Sequence, residues 1–522
     1  MKMKYFKKIP VCLNILGDYF GLDPETRAFK KYLVSRFTEN EKSTKVILVE
    51  SQQWSTNQIA LSYFLPLLRK EKNSELVAYR MMKIGRLSKL KQILRHKFSV
   101  LPKMGCKKFL LVPFRRQLEA NKLVLHVETA EELETFEFHG VLIGDLIYDR
   151  YLNVSRQHTL DLKDPLFLET FQECIQYFEF WESYFSTHDV QAVCVSHSVY
   201  HFAIPARLAV KRNIEAFQVS AESIFRLTIL NPQAFETSDC LKQKFNLLPK
   251  MQQESGMSEA INRINHRLKG GYSTDMPWSS GISFQEPLTG ISKATMKNGK
   301  LKVLIACHHF YDAPHFHGRA FYPDFFLWLK RLNELSYAVD YDWYLKPHPD
   351  AKGAKLEVLE EFVLASNGFH LLSETTSHRE LLDQGIDVAL TVYGTIALEY
   401  AAMDKLVINA SNNNLSSGYN FAISPKNRED YEHLILSLGQ FSHSVNLDEV
   451  YQYYFMRHIY TWSNWIFKDY GLFVSELGSY RNSVSKSAYA YFLKTSNRYT
   501  EEEVKPALME FIKSRDQLFR YG

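Results

Sequence analysis

Residues 387–411, DVALTVYGTIALEYAAMDKLVINAS, decide the fold and indicate the first candidate binding site. The apolar run 388–392 has the composition of a buried strand and ends in Tyr393-Gly394-Thr395. A helix is predicted to begin there, and a second apolar run, 406–409, follows it. A strand, a helix and a strand in this order predict one parallel unit of an α/β sheet. Such sheets bind ligands beyond the carboxyl ends of their strands.

The turn between this strand and helix predicts a phosphate site. A helix N-terminus offers N–H groups and a positive dipole end to an anion. Gly394 lets the backbone come close to the ligand, and Thr395 can cap the helix or bond a phosphate oxygen. Glu399, one turn further on, can accept hydrogen bonds from both hydroxyls of a ribose. The alternative is that Thr395 is only a helix cap and Glu399 only a solvated charge.

A second loop, Tyr344-Leu345-Lys346-Pro347-His348-Pro349, is predicted to lie at the same edge of the sheet. Its prolines stiffen the backbone and favour an extended frame around His348. Lys346 and His348 can neutralise the charge that builds on a departing nucleotide phosphate. The predicted reaction therefore needs no metal.

The alternation of strand and helix recurs through 522 residues, which is too long for one ordinary core. Apolar residues make up 46% and charged residues 23%, as in a folded globular protein. Further buried strands are predicted at 45–50, 76–79, 109–112, 140–143, 192–196, 302–306 and 342–346. We therefore predict an α/β protein of two Rossmann-like domains that face each other across a cleft, with C-terminal helices.

Changes in composition give the predicted domain boundaries. Residues 1–246 form the acceptor-side Rossmann-like domain and residues 247–300, which are polar and rich in Gly and Ser, form the interdomain region. Residues 301–427 form the nucleotide-sugar-binding Rossmann-like domain. Residues 428–522 are predicted to form helices that pack back on the two domains.

Residues 302–426 resemble the capsular polysaccharide biosynthesis glycosyltransferases, GT-B enzymes related to the Kdo transferases. That family shares the HP loop and the glycine–hydroxyl–helix–Glu element quoted above. The resemblance implies a CMP- or UDP-linked sugar donor, held around Lys346, His348, Gly394, Thr395 and Glu399. The chain is more remotely similar to the CDP-glycerol polymerases of teichoic acid synthesis and to GT-B sialyltransferases. The Asp-Tyr-Ser-Ser pattern of the teichoic acid enzymes is absent, which disfavours a glycerol-phosphate donor, and Gly394 replaces the Ser of many relatives.

Residues 144–149, GDLIYD, also resemble members of the capsule family. A transferase needs an acceptor hydroxyl that is oriented or deprotonated, and a carboxylate from the N-terminal domain can do this. Asp145 and Asp149 are the candidates, with Asp145 preferred because it directly follows a predicted strand. The alternative is that Asp145 only caps a helix.

Residues 312–315, DAPH, carry the same resemblance and belong to a segment rich in metal-ligating side chains. His315 is a predicted catalytic residue, and Asp312 is its predicted orienting partner on the acceptor side. The segment as a whole contains Cys307, His308, His309, Asp312, His315 and His317. Its spacing is neither that of a HExxH helix nor that of a tetrahedral zinc knuckle, so we predict no bound metal.

Polar residues also follow two other predicted strands. His197 and Tyr200, with Arg207, come after strand 192–196 and are acceptor-side candidates, although His197 can equally be a structural histidine. Candidates for contact with the base, ribose or sugar of the donor are Tyr393, Asn409, Ser411, Asn412 and Asn413. For the asparagines and the serine, a polar turn is an equally good explanation.

The predicted function is transfer of a sugar from a nucleotide-activated donor to a surface polysaccharide, capsule or lipopolysaccharide. No cofactor is required, because the donor is itself a substrate. Three alternatives remain: polyol-phosphate transfer, nucleotide-sugar epimerisation, and a noncatalytic glycan-binding subunit of a capsule assembly. The partners are a nucleotide sugar and a glycan or lipid-linked glycan acceptor.

The sequence favours a cytoplasmic protein. Six scattered cysteines show no close pairing, 1–16 lacks a small-residue cleavage site, and no apolar run approaches the ~20 residues that span a bilayer. From Arg80 to Arg116 there are many Lys and Arg and no Asp or Glu, although the net charge is only +5. This stretch is either a solvated helix face or a surface for anionic lipid or an anionic glycan. No nucleic-acid reader motif accompanies it.

Overall fold

The computed structural model describes the chain in segments that include every candidate site residue. The described residues are 23–34, 43–52, 54–83, 86–114, 127–236, 238–271, 299–348, 354–373, 376–441, 444–461, 464–467, 469–478, 480–495 and 500–520. The N-terminal stretch 1–16, residues 84, 85, 115 and 116 of the basic stretch and residues 272–298 of the predicted interdomain region lie outside them.

The first sheet has seven strands among the described residues, and its centre is built from apolar β-branched sequence. Strand β1, KVILVE, buries five of its six residues, as expected of a parallel strand covered on both faces. The strands of this sheet are β1 (Lys45–Glu50), β2 (Glu75–Lys83), β3 (Lys108–Phe114), β6 (Asp189–Val195), β7 (Glu215–Val219), β8 (Ile224–Arg226) and β14 (Leu518–Phe519). Their spatial order is β14-β8-β7-β6-β1-β2-β3. Strand β8 pairs antiparallel with both β7 and β14, and the other pairs are parallel.

The second sheet has five strands, all parallel. They are β9 (Leu301–Ala306), β10 (Tyr341–Lys346), β11 (Phe369–Leu371), β12 (Val388–Thr391) and β13 (Leu406–Asn409). Their spatial order is β11-β10-β9-β12-β13. In this sheet the strand order runs outward in both directions from β9. The parallel part of the first sheet, β3-β2-β1-β6-β7, runs outward from β1 in the same way. Both sheets therefore have the Rossmann order, with topological switch points between β1 and β6 and between β9 and β12.

Helices cover both sheets. Those of the first half are α1 (Pro24–Val34), α2 (Ser55–Lys72), α3 (Arg86–Phe98), α4 (Ala130–Glu134), α5 (Gly144–Ser155), α6 (Pro165–Thr187), α7 (Ile204–Lys211), α8 (Asp239–Leu247) and α9 (Lys250–Leu268). Those of the second half are α10 (Phe325–Ser336), α11 (Ala354–Leu364), α12 (His378–Asp383), α13 (Ile396–Ala401), α14 (Arg428–Leu436), α15 (Leu447–Tyr454), α16 (Tyr470–Leu477), α17 (Tyr480–Ser483), α18 (Ser487–Thr495) and α19 (Lys505–Lys513). None of these helices is long and apolar enough to cross a membrane, within the segments given above.

The end of the chain returns to the first sheet. Side chains of α16, α18 and α19 share one apolar core with β1 and α2, and β14 extends the sheet by pairing with β8. Within the predicted interdomain region, α9 is a helix of 19 residues that contributes Ala260 and Ile264 to the core of the second half.

One predicted strand has a different structure. The run 140–143 does not join the parallel sheet, because only Val141–Leu142 (β5) is extended and it pairs antiparallel with Glu137–Phe138 (β4). His139 and Gly140 between these strands both have positive φ angles, 49° and 71°, as a tight hairpin turn requires. Asp145 therefore follows a small hairpin and not a strand of the main sheet.

Candidate functional site

The two switch points open on one cleft with a volume of about 740 Å³. From the first sheet it is lined by residues next to the ends of β1 and β6, including Trp54, Ser196 and His197. From the second sheet it is lined by residues that follow β9 and β12, including His308 and Gly394. Ligands of open α/β sheets bind at such switch points, so this cleft is the candidate site.

Two sequence-predicted loops meet in this cleft. Lys346 is the last residue of β10 and is only 3% exposed, while His348 lies two residues later and is half-buried. Both line the cleft together with Gly394 and Thr395. A buried ammonium group beside an imidazole and a glycine turn is suited to hold an anionic group of a ligand.

The turn before α13 is held by hydrogen bonds among neighbouring loops. The Thr391 Oγ1 accepts from the Gly394 N–H at 3.1 Å and is 3.1 Å from His308 Nε2. A Cβ on Gly394 would lie 2.7 Å from that oxygen, so the close approach needs a glycine. Thr395 makes no side-chain cap to α13, which leaves its side chain on the cleft wall. Because α13 has only six residues, its dipole is a minor part of the field in the cleft.

Glu399 has a partner that sequence reasoning missed. Its Oε1 accepts from Arg267 Nε at 2.8 Å, and both side chains are less than 10% exposed. Burial raises the pKa of Glu399, and Arg267 acts in the opposite direction. Glu399 still lines the cleft, but one of its carboxylate oxygens is bound to α9. No signal marked this pair, since Arg267 lies in polar sequence far from Glu399 along the chain.

The remaining donor-side candidates divide into two groups. Tyr393 and Asn409 line the cleft; Tyr393 donates to the carbonyl of Ala313 at 3.3 Å, and Asn409 is fully buried. Ser411 and Asn412 are not among the cleft-lining residues within the described segments. The Ser411 hydroxyl instead accepts from a backbone N–H two residues on, as in a polar turn.

On the acceptor side, His197 is part of a hydrogen-bonded chain. Glu50, at the end of β1, accepts from both the N–H and the hydroxyl of Ser196 at 2.7 Å. That hydroxyl has one hydrogen, which it donates to Glu50, so toward His197 it can act only as an acceptor. Nδ1 of His197, 2.8 Å away, must therefore carry the proton and donate it to the hydroxyl oxygen. Nε2 of the neutral ring is then the proton acceptor. Burial lowers the pKa of His197, with Asp312 acting in the opposite direction, so the ring is neutral near pH 7.

Asp145 does not face the cleft, contrary to expectation. Both of its carboxylate oxygens accept from Arg207 at 2.6 Å, and both side chains are 3% exposed. Arg207 also donates to the carbonyl of Leu142 at 2.7 Å. A carboxylate with two buried charge-assisted hydrogen bonds is already satisfied and is shielded from an acceptor hydroxyl. The catalytic role of Asp145 stays a prediction that its position does not support.

Asp149 and His315 lie at the junction of the two halves. His315 Nδ1 is 2.6 Å from Asp149, and its Nε2 is 3.4 Å from Glu134. Burial lowers the pKa of His315, but the two carboxylates outweigh it and raise the pKa. The Tyr148 hydroxyl donates to Asp324 at 2.6 Å beside this cluster. Asp149 and His315 are therefore buried in an ion pair and do not line the cleft, so their catalytic roles also stay predictions.

Tyr200 and Asp312 contact each other across the same junction. The Tyr200 hydroxyl donates to Asp312 at 3.4 Å, and the backbone of Tyr200 has a φ of 55°, which is uncommon for a residue with a side chain. Neither residue is among those that line the cleft in the described segments. Asp312 is thus near Tyr200 and not the orienting partner of His315.

The His-rich segment does not gather around one point. Within the described residues, no group of three or more His, Cys, Asp or Glu side chains could hold a metal ion. His308 contacts Thr391 and stacks on Phe325, and burial lowers its pKa to about 3. His315 is instead part of the junction.

An ion cluster that the sequence did not indicate completes the cleft. Glu236 binds both Arg457 and Arg520, the latter at 2.9 Å, and all three residues line the cleft. Burial lowers the pKa of Arg520 to about 10, with Arg457 acting in the same direction. These residues are far apart in sequence, so no local pattern could have indicated their contact.

Comparisons with known proteins give weak likeness only. No protein-family profile and no curated protein sequence matches the chain. The Methanocaldococcus jannaschii UDP-GlcNAc 2-epimerase in complex with UDP-GlcNAc and UDP is 11% identical, covers 78% of this chain and 98% of its own, and has a TM-score of 0.25. A glycosyltransferase from Rickettsia africae is 10% identical, with coverage of 87% and 100% and a TM-score of 0.24. The wall teichoic acid polymerase TagF is 12% identical, with coverage of 98% and 99% and a TM-score of 0.19.

At these TM-scores the likeness does not establish the fold of this chain, which is identified from its two sheets. Each sheet has the Rossmann strand order, and the switch points of both open on the same cleft. The predicted fold class is confirmed: the chain is an α/β protein with two Rossmann-like sheets whose switch points face one cleft, and with helices after the second sheet.

Proposed function

We propose that the protein is a glycosyltransferase that moves a sugar from a nucleotide-activated donor to a growing surface polysaccharide in the cytoplasm. The observation that carries the proposal is the convergence of two Rossmann switch points on one cleft. One contributes an anion-binding set around Lys346 and Gly394, and the other contributes a neutral imidazole, His197. A transferase needs both functions, because a phosphate leaves as an acceptor hydroxyl attacks.

The second half would hold the donor. In the proposed reaction the bond between the anomeric carbon and the donor phosphate breaks, and the phosphate gains negative charge. Lys346 and His348, which both line the cleft, would stabilise that charge. The N–H groups of Thr395 and Ile396 donate to none of the described residues and are available to phosphate oxygens. Glu399 and Asn409 would then contact the ribose or base of a CMP- or UDP-linked sugar.

The first half would activate the acceptor, and His197 replaces Asp145 as its base. In the proposed step Nε2 of His197 takes the proton of the acceptor hydroxyl, whose oxygen bonds to the anomeric carbon. The imidazolium that forms is stabilised through Ser196 by the carboxylate of Glu50. A base of this kind typically contributes about 10²- to 10⁴-fold in rate.

The test is nucleotide release from CMP- and UDP-sugars, measured with and without an acceptor oligosaccharide. We expect release only with acceptor, and we expect the rate to be unchanged by a metal chelator. His197→Ala and His348→Ala should each lower the rate about a hundredfold or more while the melting temperature stays unchanged. His433→Ala, at an exposed histidine on α14, is the matched control and should keep the wild-type rate.

Other outcomes identify the alternatives. Conversion of the donor without acceptor would indicate an epimerase, and transfer from a CDP-polyol alone would indicate a polyol-phosphate transferase. Binding of glycan with no turnover of any donor would indicate a noncatalytic subunit. A ligand that binds only the native protein raises its melting temperature, so thermal shifts with CMP, UDP and GDP identify the nucleotide.

A further inference from the structure

Helix α3 buries two polar residues and exposes two large apolar ones. Gln92 and His96, one turn apart, are buried at 8% and 6% exposure. Leu90 and Ile93, also one turn apart, are 58% and 43% exposed. A surface helix of a globular protein normally has the reverse arrangement, with apolar residues toward the core.

The inward face of α3 is fixed by specific contacts. The ring of His96 stacks on Phe109 of β3 with centroids 4.4 Å apart, and its Nε2 is 3.1 Å from the carbonyl oxygen of Cys106. These contacts determine the rotation of the helix about its axis. Leu90 and Ile93 therefore cannot turn inward without loss of a buried histidine contact.

Exposed basic residues lie close in sequence to the exposed apolar pair. Lys89 and Lys97 are exposed on the same helix, and Lys103 and Lys107 are exposed just after it. The whole stretch from Arg80 to Arg116 contains no acidic residue. A polysaccharide or another anionic polymer would neutralise these lysines but would leave Leu90 and Ile93 in water. An anionic bilayer surface satisfies both features, because its headgroups carry the charge and its acyl boundary accepts the apolar side chains.

We propose that α3 is a membrane-docking helix that lies in the plane of an anionic lipid surface, with Leu90 and Ile93 inserted at the headgroup boundary. Lys89 and Lys97 then contact lipid phosphates. The helix begins three residues after the carboxyl end of β2, on the edge of the sheet that also borders the cleft. Docking through α3 would keep the candidate site close to a lipid-linked acceptor.

Vesicle co-sedimentation of the full chain tests this without any donor or acceptor, so its result is independent of the proposed transferase activity. We expect binding to vesicles of phosphatidylcholine mixed with phosphatidylglycerol, weaker binding at high salt, and little binding to pure phosphatidylcholine. Lys89→Gln with Lys97→Gln should weaken binding about fivefold for each lysine. Leu90→Gln with Ile93→Gln should weaken it about tenfold or more.

The matched control is Leu230→Gln with Leu364→Gln, which removes two leucines that are 95% and 87% exposed elsewhere. This control should bind vesicles as the wild type does. Two results would overturn the proposal: wild-type protein that does not sediment with anionic vesicles at low salt, or equal binding by the Leu90/Ile93 variant. Retention on an anionic polysaccharide that depends on the lysines but not on Leu90 and Ile93 would assign the surface to a glycan instead.

Discussion

Replacement of Asp145 by alanine distinguishes a structural from a catalytic carboxylate. The change leaves the Arg207 guanidinium buried at 3% exposure without the two oxygens that it contacts at 2.6 Å. Removal of one partner from a buried ion pair costs about 3 to 5 kcal/mol, because the remaining charge is uncompensated. For a domain of roughly 150 to 250 residues, this loss of stability corresponds to a fall of roughly 6 to 20 °C in melting temperature.

The double variant Asp145→Leu with Arg207→Met is the control for that reasoning. It removes both charges together, so most of the lost stability should return, apart from about 1 kcal/mol for the carbonyl of Leu142 that Arg207 also binds. Thermal unfolding followed by circular dichroism gives the midpoints, and nucleotide release well below them gives the activity. An Asp145→Ala protein with a wild-type midpoint and a hundredfold lower rate would refute the structural assignment and restore Asp145 as the base.

Three further predictions concern single contacts. Arg267→Gln should weaken donor binding because it removes the group that orients the Glu399 carboxylate and opposes the rise of its pKa on burial, seen as a higher KM for the nucleotide sugar, and an unchanged KM would contradict the ribose contact. Burial raises the pKa of Asp149 to about 6, so this carboxyl is ionised above that pH. Between pH ~6.5 and the folded-state pKa of about 10 for His315, the stability contributed by the ion pair falls as pH rises, and the melting-temperature difference between wild type and His315→Gln should shrink over that range. Gly144→Ala should lower the melting temperature by several degrees, since its Cβ would lie 1.7 Å from a backbone carbonyl oxygen of α4, and a folded, equally stable variant would show that α4 can shift.

The sequence predicted the central strands because apolar β-branched runs between polar residues have few other structures. KVILVE and its counterparts at β9 and β12 are of this kind. Strand β7, EAFQV, has polar residues at two of five positions, and β14 has only two residues, so neither carries a pattern that could be recognised. Both exist because neighbouring strands offer hydrogen bonds to them.

The candidate site was predictable in location but not in the direction of its side chains. Spacing indicates which residues follow a strand, and the strand ends of both sheets do meet at one cleft. It does not indicate that Asp145 meets Arg207, or that Glu399 meets Arg267, because each partner lies on another element. For the same reason, the role of His197 as a base could not be predicted from sequence. Its hydrogen bond to Ser196 is local, but the Glu50 carboxylate that completes the hydrogen-bonded chain lies on a strand distant in sequence.

The segments GDLIYD (144–149) and DAPH (312–315) contact each other, although they lie in different halves of the chain. Asp149 of the first is 2.6 Å from His315 of the second, and Tyr148 of the first donates to Asp324 just beyond the second. These buried contacts connect the two halves of the chain, and breaking the ion pair would leave uncompensated buried charge. Changes at this junction should therefore alter the relative position of donor and acceptor, and so affect kcat and KM together. A group that only transfers a proton would instead change kcat with little effect on KM, which separates a positioning role for Asp149 and His315 from a catalytic one.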